Sequence, residues 1–194
     1  MFKCAKNGYV RSMRKMLDSG VDPNITDEAG WTPVMWASAK DNVDILQLLI
    51  SRGGKTETRN SKGETSLHIA ARWSRIDTIK FLIASGARTE ALDRLGWTPM
   101  MWAAMQGRTE VVQALAEGGA NIEFRDTNGN TALMMAANRG RTETVKKLLD
   151  LGANPLKTNK DGQTAADIAI FSGYQELGAF IRGEAPEKPA KGRR

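Results

Sequence analysis

The sequence has little of what most chemistry needs: among 194 residues there is one cysteine, Cys4, and one histidine, His68. A single cysteine cannot close an internal disulfide, and a lone histidine without a cysteine or second histidine cannot build the common zinc sites. Long apolar runs are missing too, since no stretch approaches the roughly 18 residues of a membrane helix. The opening Met1-Phe2-Lys3-Cys4 does not read as a secretion signal, and with the cysteine usage it points to the cytoplasm or nucleus. The 19 glycines contain no G-x-x-x-x-G-K phosphate loop. Nothing in this inventory calls for a cofactor or metal, and no enzymatic activity is expected.

What is present is a period. Thr32, Thr65, Thr98, Thr131 and Thr164 are spaced by 33 residues without slippage, the mark of one supersecondary unit copied along the chain. Two residues before each stands a glycine, from Gly30 to Gly162, and five before each stands Asp27, Asn60, Asp93, Asp126 or Asn159. Asx followed by glycine signals a tight turn, because Asx side chains bond nearby backbone and glycine tolerates positive φ. The threonine then caps a helix, with Pro33 and Pro99 in the first turn, where a proline loses no hydrogen bond. An alanine column (Ala37, Ala70, Ala103, Ala136, Ala169) gives that helix a face that neighbours can approach closely. A second helix follows, with an acid in its first turn, apolar residues three apart such as Leu46 and Leu49, and a closing glycine such as Gly53.

These units resemble the ankyrin repeat, whose signature runs T-P-L-H-x-A. The matching stretches are T-P-V-M-W-A from Thr32, T-S-L-H-I-A from Thr65, T-P-M-M-W-A from Thr98 and T-A-L-M-M-A from Thr131. The resemblance implies an all-α repeat solenoid, a stack of antiparallel helix pairs with β-turn or hairpin fingers, covering residues 1–183. The expected units are a partial N-terminal cap at 2–29, then 30–62, 63–95, 96–128, 129–161 and a C-terminal cap at 162–183. Lys3, Lys6, Arg11, Arg14 and Lys15 suit a solvated first unit, and Asp167 and Ile170 depart from the inner pattern in the last. Residues 184–194 hold four basic and two acidic side chains and two prolines, the composition of a disordered basic tail.

The period separates residues the repeat requires from those it leaves free. His68 falls in the histidine slot of the resemblance, which implies hydrogen bonds tying adjacent repeats, and Cys4 falls in the alanine column as a packing residue. Glu57, Glu90 and Glu123 form an acidic column; stacked repeats stand about 8 to 10 Å apart, too far for oxygens to share one ion. Salt bridges to Arg59 and Arg125, two positions on, are the expected use of these acids. Trp36 and Trp102 precede the alanine column and are expected to pack.

The resemblance implies that partners meet the finger tips and the inner face of the first helix. The free positions there include Leu95, Asn130, Asn138, Gln163 and Phe171, and they are rich in tryptophan and arginine, the residue types most enriched in binding hot spots. The candidate partner-binding residues are Trp31, Arg59, Lys62, Arg72, Trp73, Arg94, Trp97, Met105, Arg125 and Arg139. Guanidinium forks hold carboxylates and indoles offer apolar area, so the expected partner is another protein with an acidic segment carrying apolar anchors, bound by a monomeric, non-catalytic adaptor. The net charge of +6 keeps a second reading open, nucleic-acid binding by the same Trp/Arg strip and the basic tail.

Overall fold

The computed structural model describes residues 1–184; the tail from residue 185 on, expected to be disordered, lies outside them. Among the described residues every regular element is a helix, and the helices come in pairs: α1 (Phe2–Asn7) with α2 (Val10–Asp18), α3 (Pro33–Lys40) with α4 (Val43–Ser51), α5 (Ser66–Arg72) with α6 (Ile76–Ala84). The series continues with α7 (Pro99–Gln106) and α8 (Thr109–Glu117), α9 (Ala132–Asn138) and α10 (Thr142–Asp150), α11 (Ala165–Phe171) and α12 (Gln175–Arg182). First helices stack on first helices along the chain, and second helices from α2 to α10 do the same, giving the solenoid of helix pairs.

From α3 on, each first helix starts where the threonine ladder places it. Thr32, Thr98, Thr131 and Thr164 accept through Oγ1 from the amide three residues on, at 3.2 to 3.4 Å. Such caps satisfy one of four orphan amides and contribute about 1 kcal/mol each. The alanine column is fully buried between neighbours, from Ala37 to Ala169. The turn between the helices of a pair is left-handed; Asp41 (φ 61°) and Ser74 (φ 55°) occupy that conformation where other repeats use glycine. Asp41 repays the strain by accepting at Oδ1 from the Thr78 hydroxyl at 2.7 Å, a tie to the next repeat.

The fingers between pairs are tight turns without a strand ladder. The Asp27 Oδ1 accepts from the amides of Ala29 and Trp31, and Asp93 does the same for Leu95 and Trp97. Neighbouring fingers are joined by single backbone bonds, Ser61 N to Ala29 O, Arg94 N to Lys62 O and Lys160 N to Asn128 O.

Two further sets of ties run from repeat to repeat. The glutamate column does not pair with Arg59 or Arg125. Instead, Glu57, Glu90 and Glu123 accept through Oε1 from the backbone amides of Arg88, Asn121 and Asn154, each 31 residues on, and Asn24 serves Lys55 the same way. Glu123 also meets Lys157 at 2.8 Å. The carboxylate acceptors make these exposed amide bonds charge-assisted and so stronger than neutral ones. On the opposite edge, the residue before the second helix reaches back to carbonyls ending the previous first helix: Asn42 to Ala5, Arg75 to Ala39 and Arg141 to Met105. Donors at a helix C-terminus meet both free carbonyls and the negative end of the dipole.

The last pair is built differently. In inner repeats the second residue of the A-A pair is small (Ala71, Ala104, Ala137) and faces a branched residue of the second helix (Ile79, Val112, Val145). In the last pair the sizes are exchanged: Ile170 lies over Gly178, where an added Cβ would sit 2.4 Å from Ile170 Cγ1. Asp167 and Arg182, at columns that are methionine or histidine and apolar inside the array, form an ion pair at 2.7 Å over this end. Hydrogen bonds from the Thr164 hydroxyl and amide, then Arg182, draw the Asp167 carboxyl down to about 2.

The exchange predicts a coupled pair. Ile170→Ala and Gly178→Val should each cost about 2 kcal/mol, by a cavity and by a clash respectively, whereas the double variant should recover at least half of the summed loss in urea unfolding. Additive losses would show that the two sites do not share this space.

Candidate functional site

The candidate residues divide by what their side chains already do. Arg59 and Arg125 are clamps: Arg59 Nη1 donates to the carbonyls of Gly63 and Leu92, and Arg125 donates to those of Gly129 and Thr158, so each guanidinium joins two fingers. Arg72 pairs at 2.7 Å with Glu64, a carboxylate only 2 % exposed that also accepts from Asn60 Nδ2 at 2.7 Å. A buried carboxylate demands such partners, so Arg72 is committed to the fold before any partner arrives.

Trp31 and Trp97 stand on fingers and lean on the tryptophans five residues later. The Trp31 and Trp36 rings lie 4.5 Å apart, and Trp97 and Trp102 5.1 Å apart in an edge-on arrangement. The turn aspartates complete the brace, Asp27 Oδ2 accepting from Trp36 Nε1 at 2.9 Å and Asp93 Oδ2 from Trp102 Nε1 at 2.7 Å. Lys6 Nζ caps the first brace, 3.5 Å from the Trp36 ring centre. In the intervening repeat Glu64 and Ile69 occupy the two tryptophan columns. His68 works beside them. Its Nδ1 accepts from the Thr65 amide at 3.2 Å, which leaves the proton on Nε2 to donate to the Trp97 carbonyl at 3.0 Å. Burial holds this imidazole below its ordinary value of 6.5, against the Trp97 carbonyl and the carboxylates of Asp93 and Glu64.

Four exposed candidates keep their side-chain ends free of internal bonds among the described residues: Lys62, Trp73, Arg94 and Arg139. Trp73 closes α5 with 52 % of its surface exposed, and Lys62 and Arg94 occupy adjacent finger tips through the Arg94 N to Lys62 O bond at 3.0 Å. Met105 is half-buried on the wall between them and Arg139. Leu95, 56 % exposed, shares the Arg94 finger, and Phe171, 86 % exposed, ends α11. Both stood among the free positions of the sequence, but a single apolar residue in a variable column carries no mark of exposure.

Between the last two repeats lies a cleft of about 250 Å³, lined by Asn130, Met134, Met135, Asn138, Gln163 and Phe171 among others. The array therefore offers exposed cations on adjoining finger tips, an exposed indole at the end of α5 and, between the last two repeats, an uncharged hollow edged by a phenyl ring. Among the described residues no three His, Cys, Asp or Glu side chains gather in a metal-binding cluster, and no helix is long and apolar enough to cross a membrane.

The family model described as Ankyrin repeats matches residues 1–93 and 101–185. An ankyrin repeat-containing protein of Schizosaccharomyces pombe is 38% identical over 68 residues, 35% of this chain and 33% of that protein. The human SH3 and multiple ankyrin repeat domains protein 2 is 42% identical over 65 residues, 32% of this chain and 4% of that protein. Human ankyrin repeat domain-containing protein 40 is 31% identical over 71 residues, 36% of this chain and 19% of that protein. The chain thus spans a third or less of the length of these relatives.

Two outcomes follow from the internal ties. Arg72→Ala should lower stability by about 2 to 3 kcal/mol, and adding Glu64→Gln should restore part of it, because the orphaned charge is then gone. For His68 the folded-state value lies below the unfolded one, so its contribution is whole above pH 6.5 and is lost as pH falls through the folded value. Urea midpoints between pH 7 and 5 should decline in the native protein and decline less in His68→Asn.

Proposed function

The chain belongs to the ankyrin repeat family, a family of protein-interaction modules, and on that premise we propose that it is a non-catalytic adaptor or regulatory subunit. It binds an acidic segment of a partner protein, carrying apolar anchors, along the finger tips and the inner face of the first helices. The observation that carries this reading is the placement of Lys62 and Arg94 on adjoining tips with Trp73 exposed on the same repeat's first helix. An indole whose ring is half in solvent gains its full apolar burial only against a partner, and the two cations steer and orient carboxylates. The protein acts as a monomer in the cytoplasm or nucleus, consistent with a single, buried cysteine.

The nucleic-acid reading has lost its main support. Of the six basic groups that suggested a phosphate-tracking strip, Arg59, Arg72 and Arg125 are engaged inside the protein. What remains among the described residues is Lys62 with Arg94 on adjoining tips and Arg139 apart from them, short of the charged groove with several stacking aromatics that single strands require.

Tagged protein used as bait in its source cell tests the proposal. Partners recovered by the native protein should bind it, after purification, about 30-fold more tightly than they bind Trp73→Ala, and Arg94→Glu should weaken them further at low salt than at high. Both variants alter exposed side chains, so unchanged thermal unfolding is expected alongside. Partners that bind the native protein and both variants equally would overturn this reading.

A further inference from the structure

The cleft between the last two repeats exists because of what the sequence stops supplying. In the second and fourth units the groove wall is filled by the braced pairs Trp31 with Trp36 and Trp97 with Trp102. In the fifth and sixth units the same two columns hold Asn130 with Met135 and Gln163 with Ile168, and the volume the indoles occupied is left open. None of the nine residues lining the opening is ionisable. Its polar atoms are amides in a partly closed network: Asn159 Nδ2 donates to Asn130 Oδ1 at 3.2 Å and to Gln163 Oε1 at 3.3 Å, and Ser172 Oγ donates to Asn138 Oδ1 at 2.8 Å. These bonds fix the amide oxygens as acceptors. They leave the Asn138 Nδ2 and Gln163 Nε2 groups as donors with no acceptor among the described residues. Phe171, at the rim, exposes 86 % of its surface, and Met135 lies buried on the wall.

We propose that this cleft is a second, charge-neutral subsite that receives an uncharged stretch of the same extended partner segment whose acidic part meets Lys62, Trp73 and Arg94. The inference rests on the adaptor reading and adds to it a chemistry and a spacing. Two amide N–H₂ groups facing an opening without ionised residues select carbonyl oxygens, which an extended chain presents at every residue. The exposed Phe171 ring at the rim gains apolar burial only against an apolar side chain, and a carboxylate placed there would find amide donors but no cation in the lining. The volume, about 250 Å³, falls below the range of roughly 300 to 1,000 Å³ typical of small-molecule sites, and suits one side chain with its flanking peptide units. Trp73 belongs to the third unit and Phe171 to the sixth. At about 8 to 10 Å per packed helix and about 3.3 Å per extended residue, the acidic and apolar elements of one segment stand roughly seven to nine residues apart.

Selection of a displayed library of random 16-residue peptides on the native protein supplies the probe. The expected consensus is one or more acids separated by roughly seven to nine residues from an apolar residue in an uncharged context. Synthetic copies of the selected peptides should bind Phe171→Ala and Asn138→Leu about tenfold more weakly than the native protein, and Trp73→Ala more weakly again. Phe171 and Asn138 are exposed, so unfolding does not confuse the result. Peptides that depend on Trp73 and Arg94 but not on Phe171 or Asn138, or that lack the spaced apolar residue, would overturn the second subsite while leaving the adaptor reading standing. Selection that returns no peptide, or only peptides indifferent to all these positions, would overturn both.

Discussion

A pair of helices seven to nine residues long, such as α5 and α6, cannot stand alone in water. It leaves backbone groups unsatisfied at both helix ends and an apolar face on each side, and only a neighbouring repeat at the right distance can relieve all three. The register of 33 residues meets that constraint, and the ties found here are its working parts. Glu57 satisfies an amide of the next repeat, Arg75 and Arg141 satisfy carbonyls of the previous one, and the alanine column sets the separation at which both can reach. Remove the spacing and all of these ties between neighbours are lost at once.

That dependence also determines what is left for recognition. Arg59, Arg72 and Arg125 look like binding residues when counted by type, yet each answers a need of the stack. Lys62, Arg94, Trp73 and Arg139 answer none within the described residues, so their desolvation and ordering can be offset only by a partner. The face of the array therefore varies along its length, from tryptophan braces, through exposed cations and an exposed indole, to an amide-lined hollow, on a backbone that hardly changes.

Helix starts, the turn aspartates and the buried columns were legible in the sequence because each depends on residues a few positions apart. Thr32 caps an amide three residues on, and Ala37 is small wherever it recurs. The glutamate column was misread for a physical reason: its partner is a backbone amide 31 residues away, and a backbone atom leaves no trace in a pattern of side chains. Arg72 was placed on the partner surface because the buried state of Glu64 cannot be read from an isolated acid in a polar finger. The cleft leaves no mark in the sequence because it is a deficit of bulk at Asn130 and Gln163, recognisable only against the tryptophan braces that fill those columns in other repeats.

The glutamate pins have one consequence for how such a chain can change. They grip the main chain, which every residue possesses, and accordingly the gripped positions are as different as Arg88, Asn121 and Asn154, with Lys55 held in the same way by Asn24 of that column. Cohesion between neighbours is thus written in one column, and the identity of the residue held is written in another and left free. A copied unit arrives with its own pin and docks on whatever amide it finds, so the array can be lengthened or shuffled internally while its surface drifts. The end built on Ile170 and Gly178 has no such tolerance, because two side chains there must change together.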